Sequence, residues 1–296
     1  MRKSLLPLLL LTSMLFVSCL ENNETVIEEE TCTKENFTVS FDKQIKRMLI
    51  EPTNWLYSGK TIDFSYNEFN LLEKIEKGNI DSYHLLSYAY KCNNNLNVIL
   101  NYGLTFNEEN KLSSIRKINS FGTYELIHNG NTITVTGDLH SNTEQQITLY
   151  TNSNNLITKI EREDNYSLFN YDANGNMTNA KDYDLNDVLL KEYDFTFDQN
   201  PNPFYGQLTS AYLERMLYFF YDSVNGGIQS LAFRSDFDIS FPYFKNNLIK
   251  ITETSKSGPY NVTMLREFTY DTDNYPTKYE YTVVGYHEST VSITYK

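Results

Sequence analysis

The chain has only five alanines among 296 residues, and it is also poor in histidine (4), cysteine (3) and glycine (12). Because alanine is the strongest helix former, its scarcity argues against a helical protein. The few glycines form neither a phosphate-binding loop nor the Gly-x-Ser-x-Gly turn of a hydrolase nucleophile. Beyond the N-terminal segment, no apolar run approaches the 18 residues of a membrane-spanning helix. These absences argue against cofactor-binding folds and helical membrane proteins.

Asparagine and aromatic residues are abundant instead. The chain has 34 asparagines, 24 tyrosines and 18 phenylalanines, and 40% of its residues are hydrophobic. This mixture favours strands joined by turns, with enough apolar residues for a sizeable core. The formal net charge is −13. Such a charge repels phosphates, so we expect no nucleic acid partner.

The N-terminus has the arrangement of an export signal. Residues 1–3 are Met-Arg-Lys, and residues 5–17 form an apolar stretch of 13 residues, too short to span a bilayer. The sequence Phe-Val-Ser before Cys19 resembles a lipobox, in which a small residue precedes a cysteine that receives diacylglycerol. We therefore expect residues 1–18 to be a signal peptide and Cys19 to be lipidated. Ordinary signal-peptidase cleavage just after this cysteine is the alternative.

The segment that follows, residues 19–36, reads as an acidic tether. It has six glutamates, one lysine and no apolar periodicity, which is the composition of a solvated segment. An acidic patch after a lipidated cysteine also resembles the signal that sends Bacteroidetes-type lipoproteins to the outer face of the outer membrane. We expect a lipid-anchored outer-membrane protein that faces the cell surface. The alternative is that the patch is only a spacer, and the periplasmic face is then possible.

An irregular aromatic repeat runs through the remaining residues, 37–296. Each unit usually has an apolar residue two positions before an aromatic anchor, with a small or polar residue between them. This is the period-2 pattern of a strand with one buried face. The seven anchors are Tyr66, Tyr90, Phe106, Tyr150, Tyr171, Phe197 and Tyr270.

A turn and a return strand follow most anchors. Four residues after them stand residues that mostly tolerate a left-handed backbone: Asn70, Asn94, Asn110, Asn154, Gly175, Pro201 and Asn274. Six residues after five of them an aliphatic residue begins the next strand: Leu72, Leu96, Leu112, Leu156 and Met177. In three units the next apolar residue comes three positions later, which changes faces unless a β-bulge intervenes.

Residues 169–178, Phe-Asn-Tyr-Asp-Ala-Asn-Gly-Asn-Met-Thr, resemble the tyrosine-aspartate repeat (YD or RHS type) of cell-surface repeat proteins. Residues 198–206, 242–251 and 270–277 resemble Bacteroidetes surface lipoproteins of unknown function, which carry degenerate versions of this repeat. The resemblance covers about residues 60–280. It implies a porin-like β fold and supplies no catalytic residues.

A few segments depart from the repeat. Residues 208–220 repeat apolar positions every three to four residues, which predicts a helix of three turns, and residues 42–49 are a smaller helical candidate. Residues 37–41 and 291–295 alternate as opening and closing strands, and residues 129–131 suit a hairpin turn. We therefore expect an all-β fold, a large antiparallel meander of repeated hairpins that is rolled or barrel-like, with a short helical insertion.

No strong metal or cofactor motif is present. The four histidines lack metal-ligand spacing: His84, His128, His140 and His287. Residues 172–176 superficially resemble a calcium loop but lack its regular carboxylates, so turn formation by Asx side chains is the simpler interpretation. We expect neither a metal nor a cofactor.

Paired carboxylates are the remaining catalytic possibility. Asp182 with Asp184, and Asp236 with Asp238, suit glycoside cleavage, which needs two carboxyl groups that flank one bond. Among 38 acidic residues, such pairs also arise by chance. A polysaccharide-acting hydrolase, or a glycan-binding accessory protein, is therefore the second interpretation of function.

Binding or surface scaffolding without catalysis is the function that the sequence favours. Contacts usually lie on segments between regular units, because strands hold position while loops vary. The longest departures from the repeat are residues 116–147 and 204–245. The aromatic candidates for ligand contact are Tyr205, Tyr212 and Tyr243. The expected partner is an envelope protein or a glycan.

Two further expectations concern the cysteines and the membrane. After lipidation, Cys32 and Cys92 are left as a candidate disulfide in an oxidising compartment, with two free thiols as the alternative.

An integral outer-membrane barrel is a third class of function. It usually ends in an aromatic residue, whereas this chain ends in Lys296 and is acidic.

Overall fold

The computed structural model describes residues 43–52, 59–66, 72–79, 82–90, 96–99, 102–109, 111–117, 123–137, 145–205, 212–213, 216–217, 244–256, 261–284 and 287–296. All of them belong to one structural unit, Cys32–Lys296. They form eighteen strands: β1 (Ile45–Pro52), β2 (Lys60–Tyr66), β3 (Leu72–Asn79), β4 (Ser82–Tyr90), β5 (Leu96–Ile99), β6 (Tyr102–Phe106), β7 (Leu112–Lys117), β8 (Thr123–Asn129), β9 (Thr132–Gly137), β10 (Gln145–Thr151), β11 (Ile157–Glu161), β12 (Asn165–Tyr171), β13 (Met177–Asp184), β14 (Leu189–Pro201), β15 (Asn246–Ser255), β16 (Asn261–Tyr270), β17 (Pro276–Val283) and β18 (His287–Tyr295).

Every strand pairs antiparallel with the strand that precedes it in sequence, from β1 and β2 through to β17 and β18. β1 also pairs with β18, from Ile45 opposite Tyr295 to Pro52 opposite Ser289. The pairings therefore return to the first strand, and each described strand has a neighbour on both sides. The predicted antiparallel meander is confirmed.

The predicted hairpin repeat is confirmed in five units. In each, the aromatic anchor ends its strand and lies opposite the residue six positions later: Tyr66 and Leu72, Tyr90 and Leu96, Phe106 and Leu112, Tyr171 and Met177, and Tyr270 and Pro276. The register shifts at every one of these anchors. Such a shift is the β-bulge that the change of apolar faces required.

Two anchor assignments are wrong. Near Tyr150 the strand continues to Thr151, which lies opposite Ile157, and the left-handed residue is Asn155 (φ 59°) rather than Asn154. Adjacent asparagines gave the sequence no means of choosing between the two positions. After Phe197, β14 continues to Pro201, and residues 202–245 connect it to β15. No five-residue loop therefore forms after this anchor.

The five-residue turns whose residues the structure describes share one hydrogen-bond pattern. The first turn residue is Asn or Asp, and its Oδ1 accepts hydrogen bonds from backbone amides two and four residues later, as at Asn107, Asn152, Asp172, Asp184 and Asp271. The backbone is left-handed three residues after four of them, at Asn155, Gly175, Asp187 and Asn274. These are Asx turns, which confirms the turn interpretation of residues 172–176.

The small helix predicted at residues 42–49 is wrong, because residues 45–49 lie in β1. Met48 and Ile50 are buried there and alternate with exposed Arg47 and Leu49, which is strand periodicity. Ile45, Met48 and Leu49 also recur at three and four residues, which fits a helix face, so the sequence alone did not separate the two structures.

The other departures from the repeat agree with the structure where it describes them. β8 and β9 are joined by the predicted turn, with Gly130 at φ 58° in the left-handed region that glycine readily adopts. Residues 291–295 lie in β18. Within the predicted helix 208–220, residues 212–213 and 216–217 are helical. Residues 37–41 lie outside the described residues.

Buried residues alternate along the strands and form one core, to which the β14–β15 connection, residues 202–245, also contributes. From this connection, Phe204, Met216, Leu217 and Phe244 are buried. The Phe204 ring lies 6.0 Å from Phe64 of β2, and the Phe244 ring lies 4.9 Å from Phe197 of β14. The two ends of the connection therefore pack aromatic rings against β2 and β14.

The other face of the strands is largely polar. On β16 and β17 the residues that alternate with buried ones are Thr263, Leu265, Glu267, Thr269, Lys278, Glu280 and Thr282. Within the described part of the chain, no helix has the length and apolar character needed to cross a bilayer.

Candidate functional site

The structure places the aromatic residues predicted as ligand contacts in different surroundings. Tyr205 is 46% exposed. Tyr212 packs against the core, where its hydroxyl accepts a hydrogen bond from the Ile157 amide (3.1 Å) and lies 3.1 Å from the Tyr171 hydroxyl. Four other predicted positions lie outside the described residues: Tyr243, Cys19, Cys32 and Cys92. Lipidation and the disulfide therefore stay predictions.

The two segments expected to carry ligand contacts differ in character. Residues 123–137, inside the first segment, form the regular β8–β9 hairpin. The second segment supplies the buried residues of the β14–β15 connection as well as exposed Tyr205. Where the structure describes them, these segments contribute mainly to the sheet and the core.

Asparagines at both ends of the β14–β15 connection form a hydrogen-bonded clamp. The Asp198 carboxylate accepts hydrogen bonds from the Asn247 amide (3.1 Å) and the Tyr270 hydroxyl. The Asn176 side chain donates to Asn246 Oδ1 (2.9 Å), and the Asn246 amide donates back to Asn176 Oδ1 (3.2 Å). These groups satisfy one another, so the asparagine-rich segments act in folding.

A different group of polar residues lies on the core face of neighbouring strands. Strand alternation turns Ser167 of β12, Asp182 of β13, Tyr193 of β14 and Glu253 of β15 toward the core, and all four are buried. Two basic residues, Arg162 after β11 and Lys191 on β14, interact with them. We name this group the core-facing polar cluster: Arg162, Ser167, Asp182, Lys191, Tyr193 and Glu253.

Strand register brings the cluster together. Ser167 lies opposite Asp182, Asp182 opposite Lys191, and Tyr193 opposite Glu253. Ser167 and Lys191 are the third residues of their strands, whereas Asp182 and Glu253 are third from the end of theirs. Because the strands are antiparallel, these positions lie at the same end of the sheet, close to the rim.

One side of the cluster is a continuous hydrogen-bond chain. The Ser167 hydroxyl donates to Asp182 Oδ1 at 2.6 Å, in a buried contact. Arg162 Nη1 donates to Ser167 Oγ (3.0 Å) and to Asn165 Oδ1 (2.8 Å). The arginine therefore orients the serine, and the serine in turn supports the buried carboxylate.

Electrostatics link the acidic and basic members. Burial raises the pKa of Asp182, although the Ser167 hydroxyl, Arg162 and Lys191 favour its charged form. Burial also raises the pKa of Glu253, which Lys191 opposes and Asp182 reinforces. The pKa of Tyr193 is raised by burial and by both carboxylates. Five ionisable groups thus act on one another inside the protein.

Glu253 Oε2 and the Tyr193 hydroxyl, both in the cluster, have no hydrogen-bond partner within the protein. Glu253 is 3% exposed and Tyr193 is 1% exposed. A buried polar group without a partner costs about 1–3 kcal/mol, so most proteins avoid it. A donor and an acceptor left on adjacent strands, at opposite positions, mark a place where a ligand can bind.

Of the two carboxylate pairs considered from the sequence, the structure describes only Asp182 and Asp184, and these two carboxylates have separate partners. Asp182 belongs to the cluster, whereas Asp184 accepts from the Asn186 and Val188 amides in an Asx turn. Asp236 and Asp238 lie outside the described residues. In the described stretches, no three His, Cys, Asp or Glu side chains converge as metal ligands.

The sequence did carry a signal for the cluster. On β15 the buried residues Leu248 and Ile251 are followed by Glu253, which is buried as well although it is charged. A charged residue on an apolar parity is rare because an unpaired buried charge is costly. Each strand shows only one such residue, and the register that gathers them is absent from the sequence.

Comparisons with known proteins give fold neighbours only. A porin-like protein from Bacteroides vulgatus matches with 10% identity and a TM-score of 0.35, over 86% of this chain and 99% of that one. A porin-like protein from Bacteroides uniformis matches with 15% identity and a TM-score of 0.39, over 85% of this chain and 96% of that one. No family model and no curated protein matches. Since both TM-scores lie below 0.5, neither likeness carries an argument about function.

Proposed function

We propose that this protein is a lipid-anchored envelope protein that acts by binding a ligand, without catalysis. The observation that carries the proposal is the pair of unpartnered polar atoms, Glu253 Oε2 and the Tyr193 hydroxyl, on directly opposed residues of adjacent strands. Apolar residues at these two positions would avoid the cost of unpaired polar groups. A ligand that completes the hydrogen bonds explains why polar side chains stand there.

Two features support the proposed location. The N-terminus combines a short apolar segment, Cys19 and an acidic tether, which is the order of a lipoprotein. The exposed faces of β16 and β17 are largely polar, so these strands suit water rather than lipid. A lipid on Cys19 is therefore the anchor that we propose, and the outer membrane is the proposed location.

The anchor is tested by labelling cells with a radioactive fatty acid. We expect label in the wild-type chain and none in Cys19→Ala, with Cys32→Ala as the matched control that keeps its label. Equal label in wild type and Cys19→Ala would contradict lipidation. Protease treatment of intact cells then distinguishes the cell-surface face from the periplasmic face.

A specific observation also favours a second candidate, a polysaccharide hydrolase. Asp182 and Glu253 are buried carboxyls with raised pKa values, as a general acid requires. Their strands are separated by β14, which places their backbones about 10 Å apart across the sheet, before the offset along the strands is added. Glycoside cleavage needs carboxyl groups about 5–9.5 Å apart, a range that side chains on these strands can reach.

Both candidates are tested with one panel of neutral and acidic oligosaccharides, short peptides and amines. For binding, we expect at least one compound to raise the melting temperature of the full-length protein in detergent and to be recovered unchanged. Reducing-end release that is lost in both Asp182→Asn and Glu253→Gln would establish the hydrolase instead. If no compound shifts the melting temperature and none is cleaved, the proposed binding function is wrong.

A further inference from the structure

We propose that the core-facing polar cluster binds a neutral, polyhydroxylated ligand, namely a sugar residue of a glycan. This inference rests on the proposed binding function and names the ligand class for it. Its starting point is the adjacency of the two unpartnered groups, since Tyr193 on β14 lies directly opposite Glu253 on β15. Directly opposed residues have Cβ atoms about 4.5–5.5 Å apart, so one small ligand group can contact both side chains.

The chemistry of these two groups selects a hydroxyl. When ionised, the Glu253 carboxylate only accepts hydrogen bonds, whereas the Tyr193 hydroxyl can donate one. A ligand hydroxyl donates to the first and accepts from the second at the same time. An ammonium would leave the tyrosine proton without an acceptor, and a carboxylate would be repelled by Glu253.

The charge of the cluster points to the same class of ligand. Asp182 and Glu253 are matched by Arg162 and Lys191, and both carboxylates respond electrostatically to Lys191. The formal charges therefore cancel. A charged ligand would be attracted by two of these groups and repelled by the other two, whereas a neutral ligand is repelled by none of them. Sugars present neutral hydroxyls in adjacent pairs, which suits neighbouring acceptors and donors.

The position of the cluster allows such a ligand to enter. Ser167, Asp182, Lys191 and Glu253 are each third from the same end of the sheet, and Tyr193 is the fifth residue of β14. The β14–β15 connection follows Pro201, at the opposite end of β14 from Lys191. The buried aromatic residues of the connection are therefore attached at the far end, and a terminal or branching sugar residue can approach the cluster from the near rim.

The test measures binding to the full-length protein by isothermal titration. The probes are neutral xylan, mannan and arabinan oligosaccharides, an anionic oligogalacturonide, and a polyamine. The core variants are Tyr193→Phe and Glu253→Gln. Their matched controls are Tyr183→Phe and Glu267→Gln, which change residues on the exposed parity of β13 and β16.

We expect at least one neutral oligosaccharide to bind. Each core variant should weaken this binding by about tenfold or more, because each removes a hydrogen bond to the ligand. The controls should stay within about twofold of wild type. Because the lost groups have no partner in the ligand-free protein, neither core variant should lower its melting temperature. A merely structural function for Tyr193 or Glu253 would lower it.

Three results would overturn the inference by itself, and a fourth would also overturn the proposed function. The first is equal sugar binding by the core variants and their controls, and the second is a fall in the melting temperature of both core variants with no sugar binding by wild type. The third is cluster-dependent binding of the oligogalacturonide or polyamine alone, which would leave the proposed binding function intact. Failure of every probe to bind would overturn the inference and the proposed function together.

Discussion

Single asparagine and aspartate side chains stabilise the turns that join the strands of this sheet. In the five-residue turns that the structure describes, one Oδ1 atom accepts from two backbone amides that would otherwise lack partners, as Asn152 does for Asn154 and Leu156. The left-handed residue of the same turn, Asn155, is of a type that tolerates this backbone. The abundance of asparagine in the sequence is thus explained largely by turns, with the clamp around Asp198 as a second use.

We predict that Asn152→Ala lowers the free energy of unfolding by about 1–2 kcal/mol, because two amide hydrogen bonds lose their acceptor at once. Urea denaturation of the full-length protein measures the change. Ser153→Ala is the matched control, since Ser153 is the exposed neighbour in the same turn, and it should leave the midpoint unchanged. Asn152→Asp keeps the acceptor and should behave like wild type; a loss as large as that of alanine would contradict the assigned contact.

At the scale of elements, the β14–β15 connection is held to the sheet by a tyrosine pair. The Tyr171 hydroxyl donates to the Ile157 carbonyl (2.7 Å), so its own proton is used. Tyr212 therefore donates to Tyr171 and accepts from the Ile157 amide. One tyrosine of the connection thereby joins β11 to β12.

We predict that Tyr212→Phe destabilises the protein by about 1–3 kcal/mol, because the Ile157 amide then lacks its acceptor in a buried site. Tyr205→Phe is the control, since Tyr205 is exposed and should tolerate loss of its hydroxyl. Thermal denaturation of both variants provides the comparison. Equal melting temperatures for the two variants would show that the connection is held by apolar contacts alone.

A second link between elements joins the start of β1 to the turn after β16. Lys43 Nζ lies 2.5 Å from Asp271 Oδ2 and 2.9 Å from Asp273 Oδ2. The hydrogen bond to Lys43 lowers the pKa of Asp271, and the two aspartates raise the pKa of Lys43. The stabilisation is therefore present above the ordinary aspartate pKa of 3.8 and is lost as the pH falls through the lowered value.

We predict that Lys43→Met lowers the urea midpoint at pH 7 and that the difference from wild type disappears once the pH falls below the lowered pKa of Asp271 and this carboxylate is protonated. Raising the salt concentration should reduce the difference at pH 7, because the pair is partly exposed. Lys46→Met, an exposed position on β1, is the control and should follow wild type at every pH. A pH-independent difference would attribute the effect to lost packing on Tyr275 and Tyr295 instead.

At the scale of the whole molecule, closure of the pairings places the ends of the described chain side by side. Ile45 lies opposite Tyr295, and the Lys296 amide donates to the Gln44 carbonyl at 3.0 Å. A sheet closed in this way has no unpaired strand to recruit other chains. The cost is a pairing between the first and last strands, which has the longest sequence separation in the fold.

Closure predicts that a circular permutant folds. Residues 43 and 296 are joined by a short linker, and the chain is opened between Gly130 and Asn131, in an exposed two-residue turn. We expect β-type circular dichroism and one cooperative urea transition near that of the unpermuted chain. Opening instead between Ala180 and Lys181, inside β13, should abolish the transition. If the permutant opened between Gly130 and Asn131 also fails to fold, the pairing of β1 with β18 is contradicted.

What the sequence by itself determined is local. Period-2 alternation and an Asx residue at the strand end fix strands and turns within about ten residues, so units such as Tyr171 to Met177 were predictable. The closure of β1 on β18 and the gathering of Ser167, Asp182, Tyr193 and Glu253 were decided by tertiary structure. The reason is physical: alternation along a strand determines which face a residue occupies, whereas only the register between strands determines which residues meet.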